Sequence, residues 1–137
     1  MIEMSRTRHA VAACAVVLAM VGCAPTESGP ERPSKADERL AAFEATGKTE
    51  KCLPTAQIER AEVLDGRTLL FEMRSGRYYV NRLPYGCPGL GVHDSFAYKT
   101  RATPQLCDTD SITVIETTGS GASCPLGKFE ELTEKSD

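Results

Sequence analysis

Residues 58–82 read IERAEVLDGRTLLFEMRSGRYYVNR, and this stretch decides the fold class. Segments 58–64 and 67–73 are rich in large apolar residues, and Asp65-Gly66 separates them. An Asp-Gly pair suits the positive φ angles of a two-residue hairpin turn. A third segment, 77–82, contains Tyr78, Tyr79 and Val80 and follows a second turn. The stretch therefore predicts an antiparallel meander of three strands.

Two further segments, 96–100 and 111–116, alternate apolar and polar residues with the period of a half-buried strand. We therefore predict a mainly β fold: a small antiparallel sheet, or a partly closed barrel, of about five to six strands. The predicted core consists of apolar residues from these strands and from the C-terminal segment: Ile58, Val63, Leu69, Phe71, Val80, Leu83, Phe96, Ile112, Val114, Phe129 and Leu132.

One short N-terminal helix is predicted from Lys35 to Thr46. Ser34 and Asp37 have the spacing of a capping box, and Gly47 stands where a helix would stop. The predicted organisation is a signal peptide at 1–22, a tether with this short helix at 23–51, a β-rich domain at 52–132 and a polar tail at 133–137.

The first 22 residues have the layout of an export signal. Arg6 and Arg8 precede an uncharged run from Ala10 to Met20, which is too short to span a bilayer. Met20-Val21-Gly22-Cys23 resembles the lipobox of bacterial lipoproteins. The resemblance implies cleavage before Cys23 and lipidation of its thiol, and two or three acyl chains would hold the protein at a membrane.

Resemblance to the sorting rule of bacterial lipoproteins also implies a cellular location. Ala24, and not Asp, follows the cysteine, which favours the periplasmic face of the outer membrane. The membrane is therefore a predicted partner through the N-terminal lipid. The alternative is a soluble periplasmic protein that is cut nearby and keeps Cys23 as an ordinary thiol.

Four cysteines remain for the domain once Cys14 leaves with the signal and Cys23 is lipidated: Cys52, Cys87, Cys107 and Cys124. An exported compartment is oxidising, so we expect two disulfides, and spacing leaves all three connectivities open. We favour Cys52 with Cys124 and Cys87 with Cys107, because the first pair would join the ends of the folded unit. The spacing includes no Cys-x-x-Cys pair, which disfavours zinc and thioredoxin-type chemistry.

Charge and composition argue against several function classes. The chain carries a net charge of −3 at pH 7, and its acids and bases are interspersed. The absence of a basic patch argues against nucleic acid as a partner. Asp108-Thr109-Asp110 lacks the other ligands of a calcium loop and is better explained as a turn. We predict neither a metal nor a cofactor.

Catalysis would depend on His93, the single histidine after the signal, which stands beside Asp94. Neighbouring residues of an extended segment point to opposite sides, so Asp94 would not orient the imidazole. A small hydrolase using His93 is therefore the less favoured hypothesis, and we predict no catalytic residue.

Partner binding is the better use of the strand at 77–82. It combines aromatic and guanidinium groups, the residue types that anchor protein partners. The candidate partner-binding residues are Ser75, Arg77, Tyr79 and Arg82.

Three segments resemble an uncharacterised family of short exported proteobacterial proteins, and together they cover most of residues 52–132. They are RYYVNRLPYGCPGL at 77–90, LCDTDSITV at 106–114 and CPLGKF at 124–129. The resemblance implies one exported β-rich domain with paired cysteines, and it supplies no activity.

A shorter resemblance concerns Ser75-Gly76-Arg77-Tyr78-Tyr79, which matches the Ser-Gly-x-x-Tyr motif of bacterial lysozyme inhibitors. The second motif of those inhibitors, Tyr followed by Thr-Lys-Gly, is not met by Tyr98-Lys99-Thr100. The leading hypothesis is a non-enzymatic, lipid-anchored envelope module that binds an envelope protein or cell-wall material. A lysozyme-inhibitor-like protein is the alternative.

Overall fold

The computed structural model describes residues 32–136, and over that range the chain forms ten strands and two short helices. The elements are α1 (Lys35–Leu40), β1 (Phe43–Glu50), β2 (Cys52–Pro54), a 3₁₀ turn (Thr55–Gln57), β3 (Ile58–Val63), β4 (Thr68–Met73), β5 (Tyr78–Arg82), α2 (Leu90–His93), β6 (Phe96–Tyr98), β7 (Gln105–Cys107), β8 (Ser111–Glu116), β9 (Gly119–Pro125) and β10 (Phe129–Glu134).

These strands form three antiparallel sheets, and none of the sheets closes on itself. The largest has five strands in the order β1-β10-β5-β4-β3. A two-stranded sheet pairs β2 with β7, and a three-stranded sheet has the order β6-β8-β9. The predicted mainly β, antiparallel class is confirmed. The described region has more strands than the five to six expected, because several short pairings carry no clear alternation of their own.

The five-stranded sheet has apolar residues packed on both faces. On one face, Phe71 and Phe129 pack with Leu106 and Ile112 of the smaller sheets. The other face forms a second cluster, in which Ala36 of α1 packs on residues of the sheet and its β3–β4 turn: Ala36, Phe43, Leu64, Leu70, Val80 and Leu132. Because both faces are covered, β4 is buried at all but one position, which explains why its apolar residues Leu69, Leu70 and Phe71 are consecutive and do not alternate with polar ones.

The predicted meander at 58–82 is confirmed, but its first turn differs from expectation. Gly66 is not among the glycines with positive φ, so Asp65-Gly66 does not form the expected two-residue turn. The Asp65 side chain instead accepts a hydrogen bond from the backbone N–H of Arg67 at 2.7 Å. The second turn does use glycine, since Gly76 has φ +78° and its N–H donates to Met73 O.

The helix predicted for Lys35–Thr46 begins correctly and ends too late. The Ser34–Asp37 capping box is present, but the helix stops at Leu40. Strand β1 then covers residues 43–50, which were predicted to belong to the helix and the tether. Gly47 does not cap the helix; its positive φ of +81° lies where the β1–β10 register shifts.

Long-range pairing explains this correction. Phe43 pairs with Glu134 across β1 and β10, and its ring packs 4.7 Å from that of Tyr78. Only Phe43 is buried among the eight residues of β1, so the strand has no apolar alternation to reveal it. The β-rich region therefore starts before residue 52. The predicted polar tail at 133–137 is likewise wrong for Thr133 and Glu134, which belong to β10.

All four predicted cysteines form disulfides, but the favoured pairing is wrong. The bonds join Cys52 to Cys107 and Cys87 to Cys124. Cys52 and Cys107 are cross-strand partners in the β2–β7 sheet, whereas Cys87 lies in the loop before α2 and reaches β9. The expectation that one bond joins Cys52 to Cys124 failed because Cys52 lies in the two-stranded sheet and Cys124 in the three-stranded one.

Candidate functional site

A cleft of about 330 Å³ opens where the β4–β5 turn meets strand β2 and the N-terminal residue of β7. The meander places Ser75 and Arg77 on the turn, and strand β5 places Tyr79 beside them. Glu50 enters from the end of β1. The cleft is lined by Glu50, Cys52, Leu53, Pro54, Gln57, Met73, Ser75, Arg77, Tyr79 and Gln105. We call this the Arg77 cleft.

Polar contacts connect the side chains of the Arg77 cleft to strand β10. One guanidinium nitrogen of Arg77 lies 3.8 Å from a carboxylate oxygen of Glu131, and Nε of the same residue donates to Ser75 Oγ at 3.4 Å. The Tyr79 hydroxyl donates to the same Glu131 oxygen at 3.4 Å. These long contacts leave the guanidinium, which is 62% exposed, with donors directed to solvent.

Tyr79 combines a buried ring with a polar end at the cleft. The residue is 3% exposed, and its ring belongs to the main core. Burial raises the pKa of its hydroxyl; Arg77 opposes this shift, while Glu131 and Glu50 reinforce it. The neutral phenol is therefore favoured, and its single O–H is directed to Glu131. A cation, two carboxylates and a neutral hydroxyl thus lie around one small cleft.

Comparison with known proteins identifies the family. A model described as a family of unknown function, DUF6491, matches residues 5–136. The chain belongs to this family. No match was found among curated proteins or among solved structures. Membership in the DUF6491 family agrees with the resemblance to an uncharacterised family and assigns no activity.

In the structure of this DUF6491 member, only three of the four predicted partner-binding residues lie in the same cleft. Ser75, Arg77 and Tyr79 line the Arg77 cleft. Arg82 does not, because it lies at the opposite end of β5, pairs with Thr68 in the ladder and makes an ion pair with Glu130. The cleft also contains Glu50, Gln57 and Gln105, which sequence analysis missed because each lies in a short or polar segment without a recognisable pattern.

His93 lies at the end of α2, away from the cleft-lining residues. A Cβ on Gly89 would lie 3.4 Å from His93 Cδ2 and 3.2 Å from Glu116 Oε1, so this carboxylate and the imidazole approach the same glycine. Asp94 instead lies 3.6 Å from Lys35 Nζ. Asp94 therefore pairs with a lysine rather than with the imidazole, and the His93 hydrolase hypothesis stays a prediction.

Asp108-Thr109-Asp110 forms a turn, as expected. The Asp110 carboxylate accepts a hydrogen bond from Cys107 N at 2.8 Å, and Asp110 N donates to Cys107 O at 2.9 Å. Asp110 also makes an ion pair with Arg101 at 3.2 Å. Over residues 32–136, no group of three or more His, Cys, Asp or Glu side chains has the arrangement of a metal site.

The predicted signal peptide and Cys23 lie outside the described residues. Within the described part of the chain, neither helix has the length and apolar character needed to cross a bilayer.

Proposed function

We propose that the protein is an exported, lipid-anchored envelope module that binds a partner protein, without catalysis, in the Arg77 cleft. One observation carries the proposal: the exposed guanidinium of Arg77, the Ser75 hydroxyl and the buried Tyr79 meet Glu50 at one cleft. Arginine and tyrosine contribute much of the binding energy at many protein interfaces. Their presence in one cleft therefore favours the binding of a protein partner.

The chemistry of the cleft suits a polypeptide segment. Such a segment presents N–H and C=O groups together with charges of both signs. Arg77 supplies donors, and Glu50 supplies a carboxylate acceptor. Gln57 and Gln105 each supply a donor and an acceptor, and the exposed Pro54 adds apolar contact area. This mixture resembles the polar and apolar composition of non-obligate interfaces.

Two features support export and lipid anchoring. The chain begins with a positively charged segment, a short apolar run and the lipobox-like Met20-Val21-Gly22-Cys23. The domain carries two disulfides, which form and persist in oxidising compartments. We place the protein at the periplasmic face of the outer membrane because Ala24 follows the cysteine.

The cleft is tested by crosslinking in the native envelope. A photo-crosslinking amino acid at Ser75 is expected to capture one protein partner, and the same group at the exposed Lys128 is not. Arg77→Glu should abolish the adduct. Arg74→Glu is the matched control, since Arg74 is 63% exposed on the same turn and does not line the cleft. An equal yield of crosslinked partner in the Arg77→Glu and Arg74→Glu variants would contradict the proposal.

The anchor is tested separately. Mass spectrometry of the membrane-extracted protein should find an N-terminal peptide that begins at an acylated Cys23. Cys23→Ser should prevent acylation and release the domain from the membrane fraction, or leave it as an unprocessed precursor. An unacylated Cys23 in membrane-extracted protein would overturn the anchor and leave the cleft proposal to its own test.

Lysozyme inhibition is the second candidate, because the motif residues Ser75 and Tyr79 both line the Arg77 cleft. The purified oxidised domain is expected to slow cell-wall lysis by lysozyme, and Ser75→Arg should remove the effect. Lysis at an unchanged rate in the presence of micromolar domain would eliminate this candidate.

A further inference from the structure

The N-terminal helix is held at one end of the five-stranded sheet. Lys35, the first residue of α1, donates from Nζ to Val63 O at 3.0 Å. The same ammonium lies 3.6 Å from Asp94, directly after α2. The chain therefore enters the domain beside the β3–β4 turn and α2.

The two most exposed large apolar side chains of residues 32–136 belong to this same end. Tyr85 is 72% exposed and Val92 is 81% exposed. Both lie in residues 84–92, which we call the platform. Tyr85 and Val92 thus present apolar surface to solvent from one short segment of the domain.

Hydrogen bonds hold the platform on the β3–β4 turn. Cys87 N donates to Gly66 O at 2.8 Å, and the Arg67 guanidinium donates to Leu83 O at 2.8 Å and to Pro84 O at 3.1 Å. The backbone of Gly91 packs so closely on the turn that a Cβ there would lie 2.9 Å from Gly66 N. The buried Cys87–Cys124 bond ties the platform to β9.

We propose that the platform faces the bilayer, with Tyr85 and Val92 entering the headgroup region. This inference rests on the proposed lipid anchor at Cys23. Ten residues separate Cys23 from Ser34, and they span at most about 35 Å when fully extended. The anchor would therefore keep the start of α1 close to the bilayer, and the platform is at the same end of the domain.

The chemistry of the platform fits a lipid surface. Tyrosine is favoured at bilayer interfaces because its ring is apolar and its hydroxyl remains hydrated. Lys35 and Arg67 lie beside Asp65 and Asp94, so the local charges nearly balance and contact depends on apolar insertion. A short apolar contact is weak alone, but it acts on a domain already tethered at high local concentration.

The orientation also leaves the Arg77 cleft accessible. Strand β4 separates the β3–β4 turn from the β4–β5 turn by six residues, or about 20 Å. With the platform on the bilayer, the cleft-bearing turn points away from the membrane and toward a partner in the periplasm.

The sequence contains no tryptophan, so a single introduced tryptophan reports on its own surroundings. We would purify the lipidated full-length mature protein and reconstitute it in phosphatidylcholine–phosphatidylglycerol vesicles with brominated acyl chains. Tyr85→Trp and Val92→Trp should lose emission relative to unbrominated vesicles. Ser75→Trp, at the opposite turn, should keep its emission. All three sites are exposed, so the fold should tolerate the changes.

Flotation of the same vesicles separates the two proposals. Protein that floats but shows equal emission for all three tryptophans in both vesicle types would overturn the platform and leave the anchor intact. Quenching at Ser75→Trp alone would overturn the platform as well. Acylated protein that does not float would overturn the anchor and the platform together.

Discussion

Asn81 and Gly127 bind each other through a reciprocal pair of hydrogen bonds. Asn81 Nδ2 donates to Gly127 O at 2.7 Å, and Gly127 N donates to Asn81 Oδ1 at 2.9 Å. Asn81 is fully buried in β5, and Gly127 lies in the connection from β9 to β10. The side-chain amide of Asn81 therefore provides the hydrogen-bond partners of both the backbone N–H and the backbone C=O of Gly127.

Asn81→Ala should lower the free energy of unfolding by at least about 2 kcal/mol, because both backbone groups of Gly127 lose their partner in a buried site. Urea titration followed by circular dichroism measures the change. Gln105→Ala, which shortens an exposed amide side chain, is the control and should stay within about 0.5 kcal/mol. Equal stability of the two variants would contradict the assigned role of Asn81.

Gly127→Ala should destabilise the domain more than Gly86→Ala. A Cβ on Gly127 would collide with the carbonyl oxygen of Arg82, whereas a Cβ on Gly86 meets nothing within 4 Å. Neither glycine has a positive φ, so the comparison isolates the steric effect. Thermal unfolding of the two variants provides the measurement, and a smaller decrease for Gly127→Ala would show that the connection shifts freely.

The two disulfides should differ in their response to reductant. Cys87 and Cys124 are 4% and 7% exposed, whereas Cys52 and Cys107 are half-buried beside the Arg77 cleft. Because thiol exchange requires access to sulfur, limited reduction followed by alkylation should label Cys52 and Cys107 first. Peptide mass spectrometry measures the order. Prior labelling of Cys87 and Cys124 would contradict the burial argument.

Removing either disulfide should also lower stability. The bonds close loops with sequence separations of 55 and 37 residues, and bonds of this kind contribute about 2–4 kcal/mol each, mainly by restricting the unfolded chain. Denaturation of the Cys52→Ser/Cys107→Ser and Cys87→Ala/Cys124→Ala double variants measures the two contributions. Stability unchanged in both variants would show that neither bond restrains the unfolded chain.

Stability should decline in alkaline solution because burial raises the pKa of Tyr79 above its ordinary value of 10.0. The unfolded chain then ionises before the folded one as the pH rises. The contribution of Tyr79 is therefore complete below pH 10.0 and is lost as the pH increases through the folded-state pKa. Chemical denaturation at a series of pH values measures this decline.

Tyr79→Phe should reduce the alkaline decline without abolishing it. The pKa of Tyr78 is raised in the same direction, first by burial and then by Glu72, so this residue continues to contribute. A Tyr79→Phe variant with the same pH dependence as the wild type would show that the Tyr79 hydroxyl ionises equally easily in both states.

Local sequence predicted those parts of the fold that depend on neighbours in the chain. The capping box of Ser34 and Asp37 and the three strands of the meander at 58–82 formed as expected, although the Asp65-Gly66 turn did not. Each depends on residues a few positions apart, so their patterns are visible without a partner. Most predicted core residues are buried for the same reason, although the structure divides them between two faces of one sheet.

The Arg77 cleft was only partly predictable. Ser75, Arg77 and Tyr79 are close in sequence, and their turn brings them together. Glu50 enters the cleft because β1 pairs with β10, and β10 pairs with β5. The sequence around residue 50 has no apolar alternation from which this pairing could be predicted, since seven of the eight positions in β1 are exposed.

The amino-acid sequence by itself determined the β class, the three strands of the meander and the oxidation of four cysteines, because apolar segments and cysteine number act locally or through composition. Tertiary structure alone decided which cysteines pair, that residues 43–50 form a strand, and that Glu50 enters the Arg77 cleft. These outcomes depend on contacts between distant segments, whose energies become favourable only when the whole sheet has assembled.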